Sequence, residues 1–477
     1  MSAQYRATNL MSEPETQTVK SSLWLRLSAD WNRWTGASIN RSIFGAALIV
    51  ATFTVIAKLV SIVKELAVAR SFGTGDALDA FLIAFLLPSF AISVVGGSFN
   101  LALIPTFIRV RDQQEHDGAQ RLLSTVMFWT MALLGVAVLV LFASASWLLP
   151  LVASGFSAEK LALTRQLYYL LLPVLVLSGF STIWSAILNS GQTFALPALI
   201  PVITPVVTIA AILAVGKALG IYAVAGAALG GAVLEMGLLG WKLKQRGYRL
   251  WPRLHPADPS VREVIGQYIP LVAGALLMGG TAVLNQSMAA SLGPGSVAVL
   301  GYGNRIVSFF LSIGTMALST AVLPYFSRMV AAGDWTGIKH TLKTYSGLIF
   351  LVTVPVTLML LFGGKTIVAL LYERGKFTAS DTVLVNHVQA FYALQIPFYT
   401  LGMLVVRLIS ALRANHVLMW GTAISLALCI TLNYVLMRRL GVAGIGLSNS
   451  IVYAVSLCYL LAMLSRQMRR AALNHEP

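Results

Sequence analysis

Charge is what this sequence has least of. Asp, Glu, Lys and Arg make up 11% of the 477 residues, where a soluble chain carries about 25%. So few charges cannot cover a globular surface of this size, which excludes a soluble multidomain protein. Intrinsic disorder is excluded by the same composition, 57% hydrophobic with a mean hydropathy of +0.79, because disordered chains are poor in apolar residues. Cysteine is nearly absent. Cys429 and Cys458 lie in apolar stretches, so neither a disulfide framework nor a cysteine metal cluster is expected. The segment ahead of Ile43 lacks a short apolar core with a small-residue cleavage site, so no cleavable signal peptide is expected. There is no Walker A loop and no HExxH, and the six His are scattered. Gly301-Tyr302-Gly303 falls in an apolar stretch and reads as helix-packing glycine. No catalytic residue, metal site or cofactor is expected, and the chain reads as a non-enzyme.

Long apolar runs are what the sequence has in abundance. Stretches able to span a bilayer, about 20 residues each, occur near 43–63, 79–104, 122–149, 166–187, 195–215, 219–240, 266–291, 297–324, 343–363, 386–411, 416–436 and 442–464. The expected fold is an all-α polytopic membrane protein of about twelve transmembrane helices. The formal net charge of +17 does not form one stripe, so nucleic-acid binding is not expected. The basic residues punctuate the spans and report topology instead. Twenty Lys and Arg fall on the side of the termini and of the 241–265 loop, against eight on the other side. Both termini are therefore expected in the cytoplasm. Trp24, Leu27, Trp31 and Trp34 have helical spacing; they fit a surface-lying amphipathic helix and an unstructured tail equally.

Comparing the chain with itself reveals a repeat. At a shift of 219, Ala102, Pro105, Phe107, Arg109, Gly118, Leu123 and Thr125 match Ala321, Pro324, Phe326, Arg328, Gly337, Leu342 and Thr344. A weaker echo pairs 155–163 with 376–384. The shift covers six spans, an even number, so the repeats run parallel, as in transporters whose halves rock about a shared site. The expected organisation is a cytoplasmic tail over 1–42, a six-helix lobe over 43–240, a basic cytoplasmic linker over 241–265, a second six-helix lobe over 266–465 and a tail over 466–477.

Charges within spans are costly and face interior cavities or partners. Lys58 and Glu65 are two helical turns apart on one face, with Lys64 beside it. Lys64 fits a cavity role and an interfacial, snorkelling one. Asp79 opens the second span, where it can cap the helix or pair with a lysine. Glu235 can pair with Lys242 or couple protons. Arg305 sits mid-span with no acid nearby in sequence, which fits an anionic cargo or a pairing with Glu65 across the two halves; Arg407 lies near a span end, where it fits an interfacial anchor equally. The surplus in the expected cavity is positive: Lys58, Lys64 and Arg305 against Glu65. A cationic wet pocket suits an anionic, phosphate-bearing cargo. Asn285 and Asn433 are candidate cation ligands, with buried hydrogen bonding the alternative.

The run from Lys58, KLVSIVKELAVARSFGTGDALDAFLIAFLLPSF, resembles the start of the MurJ (MviN) lipid II flippase family of the multidrug/oligosaccharidyl-lipid/polysaccharide exporter superfamily. Its elements here are Lys64-Glu65, Phe72-Gly73, Asp79-Ala80-Phe81 and Pro88. Further matches are Ala186-Ile187-Leu188-Asn189 with Pro197, Asn304-Arg305 with Leu323-Pro324, and the run from Glu373 to Asp381. Lys58 and Lys64 stand where the family has arginines, Leu86 where it has a lysine, and Ala91, Ile92 and Ser93 where it has an arginine pair. The resemblance implies a bacterial inner-membrane flippase. It would move a polyprenyl-diphosphate-linked saccharide across the lipid bilayer by alternating access, drawing on an ion gradient or the membrane potential. Lys58, Lys64, Glu65 and Arg305 would meet the cargo, with Asp79, Glu235, Asn285, Arg407 and Asn433 as coupling or cavity residues. The alternatives are a flippase for exopolysaccharide or O-antigen units, a cation-coupled drug exporter using Glu235 or Asp79, and a non-transporting membrane scaffold.

Overall fold

A computed structural model describes residues 39–473 apart from 192, 255–258 and 413; the tryptophan-bearing tail segment lies outside the described residues. Among them the fold is all-helical. In chain order, α1 spans Ile39–Phe72, α2 Asp76–Ala91 and, after a π turn, α3 Gly97–Val152. Then come α4 Ala158–Ser190, α5 Ala195–Leu199, α6 Ile203–Leu219, α7 Ile221–Gln245 and α8 Pro259–Ala290. The remainder is α9 Ser296–Ala331, α10 Trp335–Phe362, α11 Gly364–Tyr372, α12 Ala379–Ala393, α13 Gln395–Ala411, α14 Asn415–Leu440 and α15 Val442–Leu473. Eleven helical stretches among the described residues are long and apolar enough to cross a membrane. The twelfth expected span falls on α1, whose 34 residues reach about 50 Å at 1.5 Å per residue. Large apolar side chains stand exposed along the bundle, among them Leu139, Trp147, Leu213, Leu351 and Phe362. Hydrocarbon, unlike water, accepts such a surface, and helices satisfy their own backbone there.

The repeat shows itself at the turns, where local chemistry is most exacting. Gly73 and Gly295 occupy matching places in the two halves. They have φ +58° and +78° and close the α1–α2 and α8–α9 connections. Gly220 and Gly441 form a second matching pair, with φ +55° and +58°. Each of this second pair turns one helix into the next through a single residue, which only glycine does without a Cβ penalty. Ser157 caps α4 by accepting from the Lys160 amide, and Thr378 caps α12 in a reciprocal capping box with Asp381. The weak sequence echo between 155–163 and 376–384 is this pair of caps.

Among the described residues three apolar cores define the architecture. One is confined to residues 99–264, from α3, α4, α7 and the start of α8, with Ile200 between α5 and α6. A second is confined to 326–464, from α9, α10, α13, α14 and α15. The third is shared: Val68, Leu78, Ile83, Leu149 and Leu167 pack in it with Ala289, Val297, Tyr302, Phe377 and Val385. The molecule is thus two helix groups fused at one end and separately cored at the other. Packing between them runs through α8, through α2 on α9 and through α1 on α11. The fused end is called the closed end below. The other, carrying Arg109, Arg111, Arg246 and Arg253, is the basic end. There the chain between α7 and α8 is pinned to the first group: Arg253 N donates to Ser124 O at 3.2 Å, and Gln120 pairs with the Arg249 backbone at 2.8 and 3.0 Å.

Candidate functional site

The charged cluster forms where α1 passes α9. Glu65 is the hinge of it. Its Oε1 takes an ion pair from Lys64 Nζ at 2.6 Å, and its Oε2 pairs with the Arg305 guanidinium. The acid that Arg305 lacks in its own helix therefore comes from the other helix group. Glu65 is more deeply buried than either cation, yet Lys64 and Arg305 remain about a third open, at 27% and 35% exposed. The Arg305 guanidinium also lies 5.5 Å from the Tyr302 ring centroid, a cation–π distance. Lys58 stands exposed on α1 two turns away, with no ion pair among the described residues. Two cations on one carboxylate leave a net positive charge facing the space between the groups. A phosphate oxygen can replace Glu65 on either cation.

Asp79 is taken up by the closed end. Its carboxylate is fully buried and accepts from Lys160 Nζ at 2.8 Å, from Gly295 N at 2.7 Å and from Ala298 N at 2.8 Å. A residue of α2 thus caps the N-terminus of α9, where free amide donors and the helix dipole favour an anion. Lys160 bonds Asp76 as well, at 2.6 Å, and lies 4.0 Å from the Phe156 ring centroid. The sequence offered a lysine partner for Asp79 without naming it. Lys160 stands two helices further along the chain, and no local pattern points to it. Around the cap, Lys376 N donates to Arg70 O at 2.9 Å and Thr74 bonds Asp381. A Cβ on Gly73 would come 2.5 Å from Lys376 O. Gly73→Ala is therefore expected to cost about 1–3 kcal/mol through left-handed strain and loss of this contact. A drop in melting temperature in detergent checks it; an unshifted melting temperature would show that the loop yields freely.

Glu235 does not pair with Lys242, as one expectation had it. Its Oε1 accepts from Thr204 Oγ1 at 2.6 Å and from Thr204 N at 3.4 Å, so it caps the start of α6 from across α7. Lys242 Nζ instead donates to Gln245 Oε1 in its own helix, at 3.2 Å. Asn285 and Asn433 are brought together: Asn433 Nδ2 donates to Asn285 Oδ1 at 2.7 Å, and Asn285 Nδ2 donates to Asn449 Oδ1 at 3.2 Å. Cys429 Sγ joins at 3.4 Å. Among the described residues no group of His, Cys, Asp and Glu could hold a metal ion, and this cluster is an uncharged hydrogen-bond network. Asn449 was not anticipated; it becomes visible only once α8, α14 and α15 pack together. Arg407 is half-buried in α13 and, among the described residues, is not part of the lining of the 650 Å³ or the 330 Å³ cavity of the second group. The larger cavity, about 650 Å³, lies beside the charged cluster and is bounded by Asn285, Asn304 and Gln395 among others.

A family model described as Lipid II flippase MurJ matches residues 68–475. A Burkholderia cenocepacia protein named lipid II flippase MurJ is 29% identical over 423 residues, covering 85% of this chain and 81% of the relative. A Synechocystis protein named probable lipid II flippase MurJ is 28% identical over 457 residues, covering 91% and 84%. Among solved structures, a lipid II flippase MurJ in an inward closed conformation superposes with a TM-score of 0.76 at 21% identity, over 90% of each chain. An inward-facing multidrug transporter of the MATE family superposes at 0.75 with 13% identity, over 90% of this chain and all of the other. At those identities the structural likeness concerns the fold.

Proposed function

The chain belongs to the lipid II flippase MurJ family, and from that premise we propose that it translocates a polyprenyl-diphosphate-linked saccharide, lipid II or a close relative, across the cytoplasmic membrane. The observation that carries this reading is the half-open cation pair on Glu65. Lys64 and Arg305 come from different helix groups and share one carboxylate. A diphosphate arriving between the groups takes over both cations by charge-assisted hydrogen bonds. Glu65 is then left without cations, and the force holding α1 to α9 passes through the cargo. The basic end, with its separate cores, is the side of loading, and the closed end opens for release. No covalent step is needed. The polyprenyl chain stays in the bilayer while the diphosphate and sugar cross in the wet space.

Glu235 and Asp79, the residues a cation-coupled drug exporter would use, each cap a helix and point to a structural role. Lys58, exposed on the same helix as Lys64, extends the cationic surface. Asn285 and Asn433 hold α8 to α14, and Arg407 is assigned no contact with the cargo. Complementation of a flippase-depleted bacterial strain tests the function: growth is expected from this chain, and lysis despite normal membrane insertion would refute it.

The orientation follows from the basic end being cytoplasmic. With cysteines introduced singly by Ser380→Cys and Ser260→Cys, an impermeant thiol reagent applied to intact cells is expected to label position 380 alone. Labelling of position 260 alone would invert the topology.

A further inference from the structure

The 650 Å³ cavity differs from the charged cluster in one respect that decides what it can hold. Among the described residues, none of the side chains bounding it is charged. They include amides and hydroxyls, such as Gln286, Asn304, Ser308 and Gln395, with the rings of Tyr399 and Tyr453. Those two rings meet edge to face with centroids 5.1 Å apart. The adjoining cavity, about 330 Å³, carries hydroxyls but, among its described lining residues, the single side-chain amide Asn449, so the amides are concentrated in the larger chamber.

Resting on the reading above, we propose that this chamber receives the saccharide of the cargo and selects uncharged, hydroxyl- and acylamido-bearing sugars against acidic ones. Placement supports it first. Gly301 and Ser308, the i−4 and i+3 neighbours of Arg305 on its helix face, bound the chamber, and Arg305 meets Glu65. A diphosphate on Arg305 therefore has its attached sugar at the chamber mouth. Chemistry supports it next. Side-chain amides both donate and accept, matching sugar hydroxyls and acylamido groups, and tyrosine rings give the apolar faces of a pyranose a surface to lie on. The volume falls in the range of small-molecule sites, about 300–1,000 Å³. Selection follows from the uncharged lining. A carboxylate carried into the chamber loses water and finds no cation among the described lining residues to replace it, and an unpaired charge away from water is costly.

The test uses the full-length chain in nanodiscs and equilibrium binding of three probes. These are a polyprenyl diphosphate bearing N-acetylglucosamine, the same lipid bearing glucuronic acid, and the bare polyprenyl diphosphate. The neutral saccharide lipid is expected to bind ~10-fold or more tightly than the acidic one, the scale of a lost hydrogen bond to a charged group. Ser308→Lys should narrow or reverse that ratio by giving the carboxylate a partner. Gln395→Leu, which adds no charge, should weaken the N-acetylglucosamine lipid several-fold. Equal binding of both saccharide lipids to the unaltered chain, a comparison that needs no variant, would overturn the chamber assignment. So would equal binding of all three probes, which would leave the diphosphate reading standing. Failure of every probe to bind would overturn the diphosphate reading and the chamber assignment with it.

Discussion

Lys160→Met is expected to be the most destabilising single change at the closed end. It leaves the Asp79 carboxylate fully buried with no cation, and breaking a buried pair from one side costs about 3–5 kcal/mol. The backbone amides of Gly295 and Ala298 remain as donors, so the loss belongs at the lower end of that range. Adding Asp79→Asn should recover more than half of it. The amide keeps an oxygen for the α9 cap and removes the stranded charge. Thermal unfolding in detergent measures both steps. A single variant as stable as the parent, or a double variant worse than the single, would show that the pair does not hold the closed end. Lys160, Asp76 and Asp79 all belong to the first helix group, so opening this end need not separate the ion pair. Within this charged cluster it breaks the two bonds from Asp79 to the α9 amides, alongside the Lys376–Arg70 and Thr74–Asp381 bonds and the shared apolar core. The buried charges therefore travel together, and the cluster's own share of the contact that has to yield is a helix cap worth about 0.5–2 kcal/mol.

Arg305→Ala is expected to abolish transport with normal insertion, and Arg305→Lys to retain part of it. The lysine keeps the charge and loses the planar fork. The double change Arg305→Glu with Glu65→Arg is the decisive one. It preserves an ion pair between α1 and α9 but moves the cation from one group to the other. If the arginine served only to hold the groups together, the swap would restore transport. Because the diphosphate must be met by a cation from each group, and the swap puts both on α1, it is expected to remain inactive in a strain that depends on flipping. Growth of the swapped strain at parental rate would reduce the Arg305–Glu65 contact to a structural tie. Lys64→Ala should lose most activity and Lys64→Arg keep much of it, on the same assay.

The residues of α1 show what can be read without a structure. Lys58, Lys64 and Glu65 lie within two turns of one helix, so helical spacing alone relates them. The spans were legible for a similar reason: a bilayer imposes a local requirement of about 20 apolar residues, satisfied within one continuous stretch. Paired proline, arginine and glycine positions revealed the repeat. The glycine turns at 73/295 and 220/441, with the caps at 157 and 378, show which local geometries the repeat preserves.

What the sequence by itself determined was therefore the class of molecule, its helices and the repeat that recurs in its turns. Only the tertiary structure decided the partners. Glu65 meets Arg305 from the other half of the chain, a pairing the sequence offered without deciding it; Asp79 meets Lys160 and the α9 amides, Glu235 meets Thr204, and Asn285 meets Asn433 and Asn449. In a water-soluble helix the apolar stripe marks the face that packs. Here the faces toward lipid and toward other helices are both apolar, so periodicity does not say which polar residue will face which. That depends on how the helices cross, and the crossing is set by the shared core at the closed end and the separate cores beyond it.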